Sequence, residues 1–379
     1  MTGDPEHSTS GNQVEVFRGG KTFFSKLFER IDAAEKFIHI QVYILGHDQT
    51  GNQLLDHLFQ AAARGVRVFL MLDAYGTSWV GKTQLTEWKK KGLSVKLFSR
   101  HFRFKRFFIG RRQHAKIVVI DAEWMSVGGL NFADRYNGSE GHPPWLDAAC
   151  WVRGPAAAQL NRLAAVYWSR KDKQFLRSQH GIAGTEHGIR VWILSNDWLR
   201  KRQEIKKAYF DAIGSAKQDI LIVAAYFFPS RKLLRLLLDK AKAGVKVRLV
   251  FSAHSDVPLI KPSMEYFYSG LQREGIEIWE WKESVLHAKV AFVDQRWVTL
   301  GSYNLNQLSD VGGLEVNIAF EDEHMVGDLY SYFLEEIYPK TQLVRKSSGA
   351  IVRRFERLVA FLLIRLALKI LFFTNRHPH

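Results

Sequence analysis

His114-Ala-Lys116-Ile-Val-Val-Ile-Asp121 leads, after six intervening residues, to Gly128-Gly129-Leu-Asn131. His287-Ala-Lys289-Val-Ala-Phe-Val-Asp294 leads in the same way to Gly301-Ser302-Tyr-Asn304. From histidine to asparagine both spans are 17 steps, and every internal spacing agrees. A lone H-x-K arises often by chance, but two full copies at one spacing do not. KIVVID and KVAFVD are apolar and rich in β-branched residues, so each motif is predicted to run along a buried strand. Residues two apart on a strand share a face, which groups His114 with Lys116 and His287 with Lys289. Each aspartate lies seven residues beyond its histidine, an odd step. Asp121 and Asp294 are therefore expected on the opposite face, as structural anchors of the motif.

Outward from the motifs, the sequence repeats itself. Residues 37–45 (FIHIQVYIL) precede a helical pattern over 54–64, then Gly65 and VRVFLMLD. Residues 220–228 (ILIVAAYFF) precede a helical pattern over 233–243, then Gly244 and VKVRLVFS. Each unit reads as strand, helix, glycine cap, strand. The strands are continuous apolar runs, as expected of a sheet covered on both faces. Residues 85–91 with Gly92 lead into LSVKLF, and residues 264–274 with Gly275 lead into IEIWEW; after each comes a loop and then HAK. Two homologous α/β halves follow, joined within residues 169–188, a polar stretch without sustained apolar periodicity.

The paired motif resembles the one that defines the phospholipase D superfamily, and the resemblance covers residues 14 to 338. It implies two duplicated α/β/α sandwich halves forming one bilobal catalytic unit. His114, Lys116, Asp121, His287, Lys289 and Asp294 are its motif residues, the candidate catalytic set. Phosphodiester transfer requires a nucleophile, a proton donor for the leaving alcohol, and positive charge around the phosphoryl oxygens. By resemblance His114 is the nucleophile and His287 the acid and base, although the sequence itself does not break that symmetry. Lys116, Lys289, Asn131 and Asn304 would hold the non-bridging oxygens. The family also places a carboxylate downstream of each motif to hold the second ring nitrogen of a histidine. The candidates are Asp147, 33 residues after His114, and Glu315, 28 residues after His287. A surface acid at a strand end is the plainer reading of Asp147. Neither H-x-K has neighbouring ligands at zinc spacing, so neither a metal nor another cofactor is expected.

Composition bears on the substrate. The 379 residues are 46% hydrophobic and 24% charged, a globular balance, with 54 Lys plus Arg against 38 Asp plus Glu for a formal charge of +16. Such a surplus suits an anionic partner, either nucleic acid or an acidic membrane. The single cysteine, Cys150, allows no internal disulfide and favours a reducing cytoplasmic setting. Residues 1–13 are polar and carry no apolar core of a signal peptide, so they are expected to be disordered. Residues 100–112 (RHFRFKRFFIGRR) mix cations with aromatics, which suits single-stranded nucleic acid or an anionic lipid interface equally. Residues 351–373 (IVRRFERLVAFLLIRLALKILFF) are too charged for a comfortable span. At 100° per residue Arg354, Arg357, Arg365 and Lys369 share a sector, as in a helix lying in the membrane interface. Packing of that helix on the catalytic body is the alternative.

Together these features favour a lipid phosphodiester, and the layout resembles bacterial cardiolipin synthases of the short type. That resemblance implies phosphatidyl transfer between two phosphatidylglycerol molecules through a phosphohistidine, with release of glycerol. Hydrolysis of phospholipid or nucleic acid at the same site is the alternative. The expected organisation is a disordered segment 1–13, halves at 14–178 and 179–340, and an amphipathic helical segment at 341–379. The expected setting is peripheral, on an anionic membrane at the cytoplasmic face, with no nucleic-acid partner. One chain can complete a site alone, so the sequence sets no oligomeric state.

Overall fold

The chain's computed structural model describes residues 8–17, 19–98, 112–139, 141, 143–197, 200–255, 257, 259–306, 309, 312–345 and 351–375. The first half is built on a mixed sheet. Its order is Ala149–Arg153, Trp124–Gly128, Lys116–Ile120, Phe37–Val42, Arg67–Asp73 and Leu93–Phe98. The last three run parallel to one another, and the motif strand Lys116–Ile120 joins them antiparallel. The second half repeats this order with Gly313–Glu321, Trp297–Gly301, Lys289–Val293, Asp219–Ala224, Lys246–Ser252 and Glu277–Trp281. The glycines expected to stop the crossover helices do so: Gly65 and Gly244 have φ of +92° and +87°, where a side chain would be strained.

Both faces of each motif strand are covered. Ile117 and Val119 enter a core that also receives Val290 and Phe292 from the other half. Val118 and Ile120 enter the first half's own core, and Ala291 and Val293 the second's. The alternation read from the sequence therefore builds three cores, the middle one shared. That shared core is what fixes one motif relative to the other.

Residues 8–13, expected to be disordered, instead open the strand Ser8–Phe17. Its first part pairs with Ile189–Asp197 of the second sheet and its last part with Ala149–Arg153 of the first. Asn12 holds the crossing. Its amide donates to Thr9 O at 2.9 Å and Ile189 O at 3.2 Å, and its Oδ1 accepts from Ala156 N at 3.0 Å. The polar sequence hides the first part of this strand, which backbone pairing places, whereas Val14 and Phe17 beyond it are buried in the cores. The join 169–188 is also more ordered than its composition suggests: Arg170–Ser178 is helical, capped by Ser169, with Leu176 buried. At the other end, Thr341–Leu343 adds an edge strand to Glu277–Trp281, so the second sheet reaches past residue 340.

The C-terminal helix, Ile351–Asn375, docks on the helix Ile260–Arg273. Arg357 Nε donates to Glu265 Oε2 at 2.9 Å, and Phe361 stacks on Tyr266 with ring centres 4.3 Å apart. Arg357, grouped above with the cations of a helix in the membrane interface, is instead an intramolecular partner, because Glu265 stands opposite it. Phe355, Leu358, Val359, Leu362, Leu363 and Leu366 remain exposed along the other side. Among the described residues no helix is long and apolar enough to cross a membrane.

One buried polar network ties the first sheet to its covering helices. His39 Nδ1 donates to Asn161 Oδ1 at 3.0 Å, and His39 Nε2 accepts from Trp168 Nε1 at 2.8 Å. This pairing requires neutral imidazole, and burial holds the ring's pKa down at about 4. The unfolded chain binds that proton near the ordinary value of 6.5. Its contribution is therefore present above pH 6.5 and is lost as pH falls towards 4, a change of about 3 kcal/mol at most. Thermal melts between pH 7 and pH 4 should show this loss, and a flat melting temperature over that range would contradict the protonation account.

Candidate active site

Each motif enters its strand along a segment pinned to the other half. His114 N and Ala115 N donate to Leu314 O at 3.1 and 2.8 Å. His287 N and Ala288 N donate to Leu146 O at 2.8 and 3.0 Å. Leu314 precedes Glu315, and Leu146 precedes Asp147. The backbone contact therefore delivers a carboxylate to each imidazole: Glu315 Oε2 lies 2.9 Å from His114 Nδ1, and Asp147 Oδ2 lies 2.7 Å from His287 Nδ1. Chain order would pair Asp147 with His114 and Glu315 with His287; the fold exchanges them. Each histidine is held by the opposite half.

The electrostatics join the two motifs into one site. Burial lowers His287 to about 4, helped by Lys289 and opposed by Asp147. Burial also lowers His114, with Glu315 opposing and Lys116 and Lys289 assisting. Lys116 falls to about 7, through burial first and then Lys289, against the pull of Glu315 and Asp147. Burial works to raise Asp147, but Lys289 and His287 outweigh it and hold it below its usual value. Glu315 is held low in the same way by His114, Lys116 and Ser302. These groups thus stand as two carboxylates and two neutral imidazoles at neutral pH. Each imidazole is fixed by its Nδ1, which leaves Nε2 as the atom for chemistry, with Lys289 Nζ 3.3 Å from that of His287. Lys116 Nζ donates to His114 O at 2.6 Å; Lys289 Nζ donates to His287 O and lies 3.0 Å from its Nδ1.

The pseudo-symmetry is broken in three places. His287 sits against Tyr136 and Trp145, ring centres 5.3 and 5.8 Å away, whereas His114 has only Tyr43 at 5.1 Å among the described aromatic contacts. His114 keeps 18% of its side chain exposed and His287 8%. Ser302 Oγ donates to Glu315 Oε2 at 2.5 Å, while its counterpart is Gly129, where a Cβ would stand 2.1 Å from Asp147 Oδ1. The Gly-Gly and Gly-Ser variants of the motif therefore match the carboxylate each one faces. The mismatch at 129 and 302 was the sequence signal for this. Tyr43, Tyr136 and Trp145 had none.

Other expected residues lie elsewhere or do something different. Asp121 and Asp294 do not meet the imidazoles. Each follows its strand in a left-handed turn, φ +55° and +52°, and caps the start of the neighbouring strand. Asp121 accepts from Glu35, Lys36 and Phe37 N at 2.9, 2.8 and 2.7 Å, and Asp294 accepts from Lys217, Gln218 and Asp219 N at 2.8 to 3.2 Å. They are anchors, and their inclusion in a catalytic set is corrected. Asn131 accepts from Ile44 N at 3.1 Å and donates to Tyr136 Oη at 2.7 Å, so it braces a wall of the site. Asn304 is buried, and its Oδ1 has no hydrogen-bond partner among the described residues. The basic aromatic stretch 100–112 lies outside the described residues except for Arg112, whose guanidinium stands 4.7 Å over Tyr75.

Two sheets pooling a histidine and a lysine each around one charge centre define a phospholipase D superfamily enzyme. The family model described as "Cardiolipin synthase, PLD-like domain" matches residues 27–141 and 209–337. Cardiolipin synthase B of Salmonella typhimurium is 31% identical over 323 residues, 82% of this chain and 77% of that one. Cardiolipin synthase B of Escherichia coli K12 is 30% identical over 83% and 78%. The crystal structure of phosphatidylserine synthase from Haemophilus influenzae Rd KW20 shares the fold, with a TM-score of 0.75 at 15% identity over 95% of this chain and 94% of that one. The chain belongs to the phospholipase D-like cardiolipin synthase family, and it is a phosphatidyltransferase of that superfamily.

Two measurements check the site. Asp294→Ala should lower stability by about 1 to 3 kcal/mol, through the backbone donors it strands, with turnover per folded molecule unchanged; a selective loss of kcat would make Asp294 catalytic after all. Glu315→Gln should change the pH dependence of diethylpyrocarbonate modification at His114, and Asp147→Asn that at His287. The opposite assignment, resolved by peptide mapping, would refute the exchanged pairing.

Proposed function

We propose that the enzyme transfers a phosphatidyl group from one phosphatidylglycerol to a hydroxyl of another, making cardiolipin and releasing glycerol. His114 Nε2 attacks phosphorus, and the P–O bond to the glycerol headgroup breaks as a phosphohistidine forms. The leaving alkoxide takes its proton from His287. Burial among the chain's own groups keeps that imidazole neutral, but an arriving phosphodiester anion favours its protonated form. His287, now neutral, then removes the proton of the incoming hydroxyl, which attacks the phosphohistidine and restores His114. Lys116 and Lys289 neutralise the non-bridging oxygens, and Glu315 steadies the charge that develops on His114.

The observation carrying this reading is the exchanged pair of His–carboxylate contacts, which supplies two oriented imidazoles, one from each half, to a single site. His114, the more open of the two, suits the nucleophile's role. Phosphatidylglycerol and cardiolipin are brought in from the relatives' activity. The exposed row from Phe355 to Leu366 and the charge of +16 support a peripheral location on an anionic membrane, at the cytoplasmic face of the cell membrane.

Purified protein given phosphatidylglycerol vesicles should form cardiolipin and glycerol in equal amounts. His114→Ala should reduce this by at least about 10³-fold, since it removes the group that makes the covalent bond. Robust cleavage of DNA with no lipid product would replace the proposal with the nuclease reading, and phosphatidic acid as the main product would replace it with hydrolysis.

A further inference from the structure

Beside the second motif a groove opens between the C-terminal helix and the body. Phe228 lies on its floor, and Phe267, Phe361 and Ile364 form its walls. The floor is continuous with the motif, because Phe227–Phe228 pairs in parallel with Leu305–Asn306, the two residues after Asn304. Two arginines from different elements line the same groove. Arg231 opens the helix Arg231–Lys242, and Arg365 lies on the C-terminal helix. Both are exposed, and no carboxylate among the described residues pairs with either. Their neighbour Arg357, by contrast, is neutralised by Glu265.

We propose that this groove is a subsite for one anionic membrane phospholipid, separate from the histidine pair. The headgroup phosphate lies between Arg231 and Arg365, with an acyl chain along Phe228, Phe267 and Phe361. Three observations favour a lipid. The guanidiniums stand beside apolar walls, which suits a charged head joined to a hydrocarbon chain. Phe361 already stacks on Tyr266 at 4.3 Å, so that face of its ring is not open to a nucleobase. Exposed Leu358 and Leu362 lie seven and three residues before Arg365 on the C-terminal helix, so a bilayer meeting that row reaches the groove's rim at Arg365. The inference rests on the membrane-enzyme reading above and adds a place where lipid is held against the strand pair that follows the second motif.

The test uses the full chain with phosphatidylcholine vesicles containing phosphatidylglycerol that carries a photoreactive group on one acyl chain. Wild type and His114→Ala should both be labelled on peptides containing Phe228 or Phe361. Each arginine contact to anionic lipid is worth about fivefold, so R231Q/R365Q should lose roughly twenty-fivefold in labelling at low salt. K89Q/K90Q removes the same charge from exposed positions in the first half and should lose far less. Equal losses in the two double variants, or labelling confined to other peptides, would overturn the subsite. If labelling follows this pattern while no cardiolipin is formed, the subsite stands and the assigned reaction falls.

Discussion

A carboxylate taken out of water without a counter-charge costs several kcal/mol, and this fold buries Asp147 and Glu315 inside its site. Each is sustained by an imidazole and a lysine, and in each pair the imidazole belongs to the other half. Separated halves would leave both carboxylates without their histidines. The interaction that orients the chemistry therefore also makes the halves interdependent. The leucine carbonyls beside the carboxylates set the geometry, since one backbone acceptor receives both N–H groups that begin each motif. The shared core around Val119 and Phe292 holds the two strands in place behind them.

Duplication explains the rest of the layout and where it stops. The cap by Asp121 and the cap by Asp294 are near copies, down to the left-handed turn in which each sits. The walls of the site are not copies. Tyr136 and Trp145 enclose His287, Ser302 supports only Glu315, and Asn131 is committed to the Tyr136 wall. Two motifs of identical spacing placed in unlike surroundings can take unlike roles, which a two-step transfer with a nucleophile and a proton carrier requires.

Strands, crossover helices, glycine stops and the motif pair were legible in the sequence because periodicity and spacing encode them directly. The aspartates' exclusion from the site followed from the odd step along a strand. The exchange of carboxylates was not legible, since counting along the chain pairs each acid with the nearer motif. Ser8–Phe17 was hidden because its polar residues are ordered by backbone pairing to two sheets and by Asn12, neither of which leaves an apolar pattern. The C-terminal helix was read as amphipathic by charge. Its docked side is chosen instead by Glu265 and Tyr266, residues distant in sequence.

The central claim is that both imidazoles serve one phosphorus. A crystal structure with vanadate, which adopts the geometry of phosphoryl transfer, tests it directly. The account requires a single vanadate bound between Nε2 of His114 and Nε2 of His287, with both lysines on its oxygens. Two vanadates in separate cavities, or one bound away from either ring, would contradict it.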